Sequence, residues 1–266
     1  MNSLHPKKSL GQHWLFDVDS LNAMAEAAEV NSGDAVLEVG PGLGTLTEVL
    51  LNHGANVTAV EVDKDLYENL ISKSSQLSGQ YKSHLTVINE DILQFDLSSL
   101  PKNYKVCANI PYYLTSNLIR RMLECNNPPS VIALLIQKEV AERIVATPGQ
   151  MSILSVATQF YAEVELRELV PAQLFTPPPK VDSQIIQIKL RGKPLFPDVD
   201  SEKFFQIVKA GFSEKRKKLR SSLSGGLRIS KNDADDLIGR AKMAPGSRAQ
   251  ELTLEQWHEL AKVYCG

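Results

Sequence analysis

The sequence predicts an α/β fold with a mostly parallel sheet, followed by a small all-α domain at the C-terminus. Short apolar segments typical of buried strands alternate with segments whose apolar residues recur at helical spacing, as far as residue 190. Parallel strands need crossover connections, which place helices on both faces of the sheet. From residue 193 onward only helical patterns are found. The change in pattern therefore indicates two domains.

Seven short apolar segments are predicted strands. They cover residues 36–39, 57–63, 85–88, 105–109, 131–136, 164–170 and 185–190. A helix is predicted at 19–30, before the first strand, and others between the strands at 45–51, 116–123, 138–145 and 153–161, with one more after residue 63 that buries Leu66, Leu70 and Ile71. The last helices are predicted at 201–212, 214–224, 231–240 and 253–264. Arg191-Gly192-Lys193-Pro194 marks the predicted boundary between a first domain, 1–192, and a second, 193–266.

Composition limits the class of protein. The chain has 266 residues, a net charge of −2 and no apolar run long enough to span a membrane. Its N-terminus lacks the apolar segment of a signal peptide. The three cysteines, Cys107, Cys125 and Cys265, are far apart, and their spacing gives no metal-ligand pattern. We therefore expect a cytoplasmic protein without a metal site, and a monomer, since no coiled-coil pattern or exposed apolar stripe is seen.

A glycine-rich turn, Gly40-Pro41-Gly42-Leu43-Gly44, follows the first predicted strand of the sheet. In open parallel sheets, ligands bind beyond the carboxyl ends of the strands. Glycines at these positions permit a tight turn and a close approach of the backbone to a ligand. The spacing is G-x-G-x-G with a proline inside, whereas a dehydrogenase fingerprint is G-x-G-x-x-G. Alone, the turn is a weak indication of a nucleotide-like ligand, because a turn between a strand and a helix can also bind nothing.

Carboxylates end the next two strands. Glu61 lies 21 residues after Gly40, where a carboxylate can accept hydrogen bonds from both hydroxyls of a ribose. That geometry serves either a nicotinamide cofactor or S-adenosylmethionine. Asp63 is the neighbouring alternative, and we prefer Glu61 because it sits nearer the sheet edge. Asp91 ends the third strand, where it could accept a hydrogen bond from the amino group of a cofactor adenine or act only as a turn residue.

The segment Asn109-Ile110-Pro111-Tyr112 follows the fourth strand and indicates chemistry at an amino group of a base. Such a nitrogen is a poor nucleophile, because its lone pair is delocalised into the ring. The side-chain oxygen of Asn109 and the carbonyl of Ile110 would hold its hydrogens and favour a pyramidal nitrogen. Pro111 would stiffen the turn, and Tyr112 would stack on the base. Because a sulfonium donor is highly activated, positioning does most of the work and no strong general base is needed.

On these motifs the chain resembles the ribosomal RNA adenine dimethylases over nearly its whole length, and within them the branch that makes N6,N6-dimethyladenosine in small-subunit ribosomal RNA. The matching segments stand in the family's order. They are the lid motif Lys8-Ser9-Leu10-Gly11-Gln12-His13-Trp14-Leu15, the cofactor loop from Glu38 to Thr47, the target-base motif Asn109-Ile110-Pro111-Tyr112-Tyr113, and the segments from Gln137 to Ile144, from Phe175 to Ser183 and from Val208 to Arg220.

The resemblance implies a Rossmann-like class I methyltransferase domain with an N-terminal lid, S-adenosylmethionine as the cofactor, and a helical RNA-binding domain at 193–266. The implied cofactor contacts come from the lid, the glycine turn and the strand ends: His13, Leu15, Gly40, Gly42, Glu61, Asp91 and Asn109. The family usually has an asparagine and a phenylalanine in the lid where this chain has His13 and Trp14.

The resemblance also implies that Phe175 faces Tyr112 across a flipped adenine. Phe175 begins a segment with three consecutive prolines, residues 177–179. Such a run fits neither a helix interior nor a central strand, so the segment is predicted to be a stiff exposed loop that holds the ring outward over a pocket. Base stacking on an aromatic ring contributes about 1–3 kcal/mol, which would help to offset the cost of extruding the base.

A basic segment lies in the predicted helical domain, at Lys215-Arg216-Lys217-Lys218-Leu219-Arg220. A run of this kind is usually a solvated helix face. In a protein that modifies a base, we expect it to contact phosphates of ribosomal RNA, because such contacts add affinity that depends on salt and not on sequence. The predicted RNA-binding residues are Lys180, Lys215, Arg216, Lys217, Lys218 and Arg220.

The sequence therefore predicts methyl transfer from S-adenosylmethionine to N6 of two adjacent adenosines, twice each, in a 3′-terminal hairpin loop of small-subunit (16S) ribosomal RNA during maturation of the 30S subunit. The alternatives are a large-subunit (23S) ribosomal RNA methylase that confers antibiotic resistance and a ribosome-assembly factor that acts mainly by binding. A DNA adenine methylase should carry a separate target-recognition region, and the loop spacing disfavours a dehydrogenase. No DNA or membrane partner is expected.

Overall fold

A computed structural model describes residues 5–7, 10–76, 83–214 and 216–266 and shows the predicted α/β architecture. The chain divides into two compact units. The first extends to Ala141 and resumes over Val164–Leu190, and the second comprises Glu142–Glu163 and Arg191–Gly266. The second unit therefore resumes close to the predicted boundary after residue 192. It also includes Glu142–Glu163, which the sequence prediction placed in the first domain.

A seven-stranded sheet forms the first unit. Its strands are β2 (Ala35–Val39), β3 (Asn56–Glu61), β4 (Leu85–Asn89), β5 (Lys105–Asn109), β6 (Val131–Gln137), β7 (Ala162–Val170) and β9 (Ser183–Leu190). They lie in the order β4-β3-β2-β5-β6-β9-β7. The neighbours from β4 to β6 are parallel, and β9 is antiparallel to β6. The predicted mostly parallel, seven-stranded sheet is confirmed.

A separate two-stranded sheet joins β1 (Trp14–Leu15) to β8 (Phe175–Thr176). Leu15 pairs with Phe175, and both side chains are buried in the hydrophobic core of the first unit. The ring of Phe175 is only 3% exposed, so the prediction that the loop holds it outward to solvent is wrong, although the ring does line the cavity described below and residues 176–178 and 180–182 are exposed as predicted. The reason is tertiary, because backbone pairing with the lid and packing against the core hold the ring inside.

The helices of the chain follow the predicted order. They are α1 (Val18–Ala27), α2 (Thr45–Asn52), α3 (Lys64–Gln76), α4 (Thr115–Glu124), α5 (Lys138–Ile144) and α6 (Ile153–Tyr161). In α3, Leu66 and Leu70 are buried as predicted, but Ile71 is 41% exposed and its inward assignment is wrong. Leu66 and Leu70 share a face because they are four residues apart, whereas Ile71 is turned by about 100° from Leu70.

The second unit has a core of its own. Its C-terminal helices are α7 (Ser201–Gly211), α8 (Leu219–Leu227), α9 (Lys231–Arg240) and α10 (Leu254–Cys265). Phe160, Phe204 and Trp257 are fully buried in this core. A Cβ on Gly226 would lie 2.5 Å from the Cα of Ala210, so glycine is needed where α8 approaches α7. Over the described ranges, no helix is both long enough and apolar enough to cross a membrane.

The helix predicted at 214–224 begins later than expected. It starts at Leu219, whose backbone N–H donates a hydrogen bond of 2.8 Å to the carbonyl of Ser247. Before it, Lys217 N–H donates to the carbonyl of Glu214 in a turn, and Lys218 has extended dihedral angles. Most of the described basic segment is therefore a turn before α8 and not a helix face, because contacts distant in sequence set the start of the helix.

Candidate active site

A cavity of about 220 Å³ lies beyond the carboxyl ends of the parallel strands. Parallel strands bring their carboxyl ends to one edge of a sheet, which is where such sheets bind ligands. Lid residues 10–15, the glycine turn and residues 109–114 all contribute to its wall. The cavity brings together every predicted catalytic and cofactor residue: His13, Leu15, Gly40, Gly42, Glu61, Asp91, Asn109, Ile110, Pro111, Tyr112 and Phe175.

The glycine turn has the backbone conformation that its composition predicts. Gly40 has a φ of +66°, a left-handed conformation that side chains disfavour. A Cβ built there would have no other heavy atom within 4 Å, so the backbone borders open space. Gly44, with a φ of +84°, is the N-cap residue just before α2, and a Cβ on it would lie 2.8 Å from Leu70 Cδ1. The turn thus leaves room for a ligand and packs tightly behind it.

Glu61 is held by backbone N–H groups on both of its side-chain oxygens. Asp63 N–H donates to Oε1 over 2.9 Å, and Gly42 N–H donates to Oε2 over 3.1 Å. Burial raises the pKa of Glu61, and these two hydrogen bonds oppose that rise. A carboxylate has about four lone-pair positions, so acceptor capacity remains for two ribose hydroxyls. The arrangement fixes the carboxylate at the place where the strand spacing predicts the ribose.

Asp63, the alternative ribose acceptor, is used by the N-terminal segment instead. Lys7 Nζ lies 2.7 Å from its Oδ1, and Gln12 Nε2 donates to its Oδ2 over 3.1 Å. Burial alone would raise the pKa of Asp63, but the hydrogen bonds from Lys7 and Gln12 outweigh burial and lower it. These contacts attach the N-terminal segment to Asp63, which lies two residues after Glu61. Sequence reasoning missed this link, because residue spacing does not show which cation a carboxylate pairs with.

Glu38 is a further cavity residue that sequence reasoning did not single out. It lies in β2, is 1% exposed and accepts a hydrogen bond of 2.6 Å from Thr47 Oγ1. Burial is the main cause that raises its pKa to about 8, the bond from Thr47 opposes the rise, and the charge of Glu61 adds to it. The carboxyl group is therefore mostly protonated at neutral pH. The sequence does carry a signal for Glu38, since it is an acidic residue inside the otherwise apolar strand Val36-Leu37-Glu38-Val39.

Asn109 ends β5 with its side-chain amide in a defined orientation. Its Nδ2 donates a hydrogen bond of 3.3 Å to the backbone carbonyl of His13. Because a carbonyl oxygen only accepts, the amide nitrogen must face His13, and Oδ1 is kept as an acceptor elsewhere. Ile110 follows and is 2% exposed. A hydrogen bond of 3.0 Å from Leu114 N–H to the Pro111 carbonyl closes the turn.

Tyr112 is fixed at its hydroxyl, which lies 2.9 Å from Ser183 Oγ. Burial raises the pKa of this hydroxyl, while the bond to Ser183 opposes the rise, so the ring is neutral at physiological pH. The ring next to it is that of His13, with centroids 6.1 Å apart and planes inclined by 24°. His13 Nδ1 lies 2.7 Å from the Pro177 carbonyl. The predicted role of Phe175 opposite Tyr112 stays a prediction.

Asp91 and Leu15 also have structural contacts. Leu93 N–H donates to Asp91 Oδ1 over 2.9 Å, so this carboxylate stabilises the turn after β4. The Leu15 carbonyl accepts a hydrogen bond of 2.9 Å from Thr45 Oγ1, which ties the lid to the start of α2. Both residues border the cavity, and their predicted cofactor contacts stay predictions.

The predicted RNA-binding residues differ in their surroundings. Lys180, Arg216, Lys217 and Lys218 are exposed. Arg220 is partly buried and forms an ion pair of 2.7 Å with Asp235, so part of its charge is already neutralised. Lys215 lies outside the described residues.

The fold and the cavity together define a class of protein. A sheet in this order, with a glycine turn, a buried carboxylate and the segment from Asn109 to Tyr112 around one cavity, is that of a Rossmann-like class I methyltransferase. A dimethyladenosine transferase from Plasmodium falciparum has the same fold, with a TM-score of 0.78 and 23% identity over 93% of this chain and 96% of that one. The 23S rRNA methyltransferase ErmE has a TM-score of 0.74 and 28% identity, over 95% and 100%.

The family assignment rests on nearly the whole chain. The family model described as ribosomal RNA adenine dimethylase matches residues 3–265, and the chain belongs to this family. Relatives from Dehalococcoides mccartyi and Caldanaerobacter subterraneus subsp. tengcongensis are both named ribosomal RNA small subunit methyltransferase A. Each is 38% identical to this chain. The match to the first relative covers 98% of this chain and 89% of the relative, and the match to the second covers 97% of this chain and 96% of the relative. The predicted enzyme class is confirmed.

Proposed function

We propose that the chain transfers methyl groups from S-adenosylmethionine to N6 of two adjacent adenosines in a 3′-terminal hairpin loop of 16S ribosomal RNA, giving N6,N6-dimethyladenosine during 30S maturation. The observation that carries the proposal is the orientation of Asn109. Its amide nitrogen donates to the His13 carbonyl, which leaves its side-chain oxygen free to accept, and the residue lines the cavity. An amino group of a base needs such an acceptor.

The residues around the cavity fit the proposed cofactor. Gly40 borders open space, and Glu61 is a fixed carboxylate with acceptor capacity for a ribose. Asp91 is the proposed acceptor for the adenine amino group, and the lid residues His13 and Leu15 complete the proposed contacts. When bound, S-adenosylmethionine supplies a methyl group that its sulfonium activates. The protein then needs to orient the acceptor nitrogen and exclude water.

The target adenine is held by the segment that ends β5. Asn109 Oδ1 and the Ile110 carbonyl accept the two hydrogens of N6, which favours a pyramidal nitrogen with its lone pair available. Pro111 restricts the turn, and Tyr112 stacks on the base. Phe175 is proposed to complete the pocket from the core side. In the second transfer only one hydrogen is left on N6, so one of the two acceptors then loses its partner.

The substrate is proposed from charge and from relatives. Arg216, Lys217 and Lys218 are exposed in the second unit, as is Lys180 in the first, and they are proposed to contact phosphates. The assignment of catalysis to residues 1–192 and of RNA binding to residues 193–266 is part of this proposal. The monomeric state and the cytoplasmic location are also part of it.

The relatives at 38% identity have names that specify the small subunit. The 23S alternative has support at 28% identity.

The experiment that tests the proposal offers labelled S-adenosylmethionine to the protein with naked 16S RNA, immature small subunits and large subunits in separate reactions. We expect label in dimethyladenosine from small-subunit substrates only. Label in large subunits would favour the 23S alternative. Binding to small subunits without transfer would favour an assembly factor and contradict the catalytic proposal.

A further inference from the structure

The lid, residues 10–15, is attached to the first unit at both of its ends, and the two attachments differ in kind. Its residues form part of the cavity wall. At the C-terminal end, Leu15 pairs with Phe175 in the two-stranded sheet, and its carbonyl accepts a hydrogen bond of 2.9 Å from Thr45 Oγ1. The Leu15 side chain is buried in the hydrophobic core of the first unit. This end of the lid is therefore held by the core.

The N-terminal end of the lid is held by polar side chains, through the carboxylate of Asp63. Gln12 Nε2 donates to Oδ2 over 3.1 Å, and Lys7 Nζ lies 2.7 Å from Oδ1. Gln12 Oε1 accepts from the Lys7 backbone N–H over 2.8 Å, so these two residues also hold each other. Lys7 Nζ lies 2.7 Å from Asp65 Oδ2 as well. We call these contacts of Lys7 and Gln12 with Asp63 the ionic attachment.

Asp63 links the ionic attachment to the proposed ribose site. Its side chain is 2% exposed, whereas that of Lys7 is 43% exposed. Its backbone N–H donates a hydrogen bond of 2.9 Å to Glu61 Oε1. One residue therefore holds the lid with its carboxylate and the proposed ribose acceptor with its backbone. Asp63 is not among the described residues that line the cavity, so it acts on a ligand there only through these neighbours.

We propose that Asp63 is a positioning residue that retains the bound cofactor, because it holds the N-terminal end of the lid closed over the cavity. The inference rests on the proposed function, since it takes S-adenosylmethionine to be bound there. The ionic attachment is the easier of the two to open, because a pair with a partly exposed lysine is weak and is screened by salt. Opening the other end would expose Leu15 and break its strand pairing. The cofactor therefore leaves where Lys7 and Gln12 release Asp63.

The experiment measures the dissociation rate of labelled S-adenosylhomocysteine, chased with an excess of the unlabelled compound. This product has no net charge, so a salt effect on its release reports on the protein. We expect Lys7→Gln, which removes the ion pair and leaves Asp63 in place, to speed dissociation by about 2- to 5-fold. Asp63→Asn also weakens the hydrogen bond from Gln12 and should speed it by about 10- to 100-fold.

Salt and a double variant test whether the ion pair itself controls release. Raising the salt concentration from about 0.05 to about 0.5 M should speed dissociation from the wild type and change Lys7→Gln little, because that variant lacks the screened pair. The double variant of Lys7→Gln and Asp63→Asn should release the ligand no faster than Asp63→Asn alone. Glu68→Gln is the matched control, since it breaks an exposed ion pair with Lys64, next to Asp63, and should behave as wild type.

The lid itself is followed by hydrogen exchange of the backbone N–H groups of residues 10–15 in the cofactor-free protein. Exchange should be faster in Lys7→Gln than in Glu68→Gln, and equal exchange would mean that the ion pair does not hold the lid. Wild-type dissociation rates in both Lys7→Gln and Asp63→Asn would overturn the proposal, as would a salt effect of equal size in the wild type and Lys7→Gln. Wild-type protein that binds no S-adenosylhomocysteine would instead contradict the proposed function.

Discussion

The cavity has a donor side, where the cofactor is proposed to bind, and an acceptor side, where the target base is proposed to bind. The two sides are held in place in different ways. On the donor side, Glu61 is fixed by backbone N–H groups of Gly42 and Asp63, which are close to it along the strand ends. On the acceptor side, bonds between distant segments fix the rings and the amide, as between Tyr112 and Ser183. A site made from backbone groups at neighbouring strand ends can be predicted from strand spacing, whereas one made from side chains on distant segments depends on the tertiary structure.

The largest effect is expected at Glu38, on the donor side. Its pKa is raised from 4.5 to about 8, so between these values the folded chain holds a proton that the unfolded chain has lost. Stability therefore falls as pH rises through this window, by up to about 1.4 kcal/mol per pH unit and about 5 kcal/mol in all. Glu38→Gln should remove this dependence and be the more stable protein at pH 8.

The measurement is the free energy of unfolding of the cofactor-free protein against pH, for the wild type and for Glu38→Gln. The difference between the two curves reports Glu38 together with its coupling to Glu61, because groups that do not interact with Glu38 titrate equally in both. Glu48→Gln, an exposed acid on α2, is the control and should follow the wild type. A difference that stays constant from pH 5 to 8 would show that Glu38 titrates normally.

On the acceptor side, Asn109→Ala should lower the rate of methyl transfer at saturating cofactor by about 100- to 1,000-fold. Loss of one preorganised hydrogen-bonding group at a reacting centre has an effect of this size. Cofactor affinity should change far less, since Glu61 and Gly40 are untouched. The rate is measured in single turnovers with labelled cofactor, and a rate near that of the wild type would remove Asn109 from the proposed role.

Glu61→Gln should weaken cofactor binding by about 10- to 100-fold. Hydrogen bonds to a charged group contribute about 1.5–3 kcal/mol, more than those to a neutral amide. Titration calorimetry compares S-adenosylmethionine with 5′-methylthioadenosine, which keeps the ribose and lacks the amino-acid part. Both should lose affinity by the same factor if Glu61 binds the ribose, and a loss confined to S-adenosylmethionine would place the contact at its amino-acid end.

The smallest effect is expected for Tyr112→Phe, which keeps the ring and loses the bond to Ser183. A neutral hydrogen bond contributes about 0.5–1.5 kcal/mol, so kcat/KM for the RNA should fall by roughly 2- to 10-fold. Ser183→Ala should have the same effect, and the double variant should lose no more than either single one. Additive losses would show that Tyr112 and Ser183 act independently.

The same difference, between contacts at strand ends and contacts between distant segments, separates what the sequence could predict from what it could not. The predicted strands are confirmed, and Gly40 and Glu61 lie at the cavity, because parallel strands bring their ends to one edge. The late start of α8 at Leu219 depends on Ser247, and the burial of Phe175 depends on Leu15. Such pairings join segments far apart in the chain, and no local period records them.

The most direct test of this division measures two quantities in two variants, namely cofactor affinity and the rate of methyl transfer at saturating cofactor. We predict a crossed pattern. Glu61→Gln should lose affinity and keep most of its rate, and Asn109→Ala should lose its rate and keep most of its affinity. If both variants lost both quantities to a similar extent, the donor side and the acceptor side would be one coupled unit, and the division between them would be contradicted.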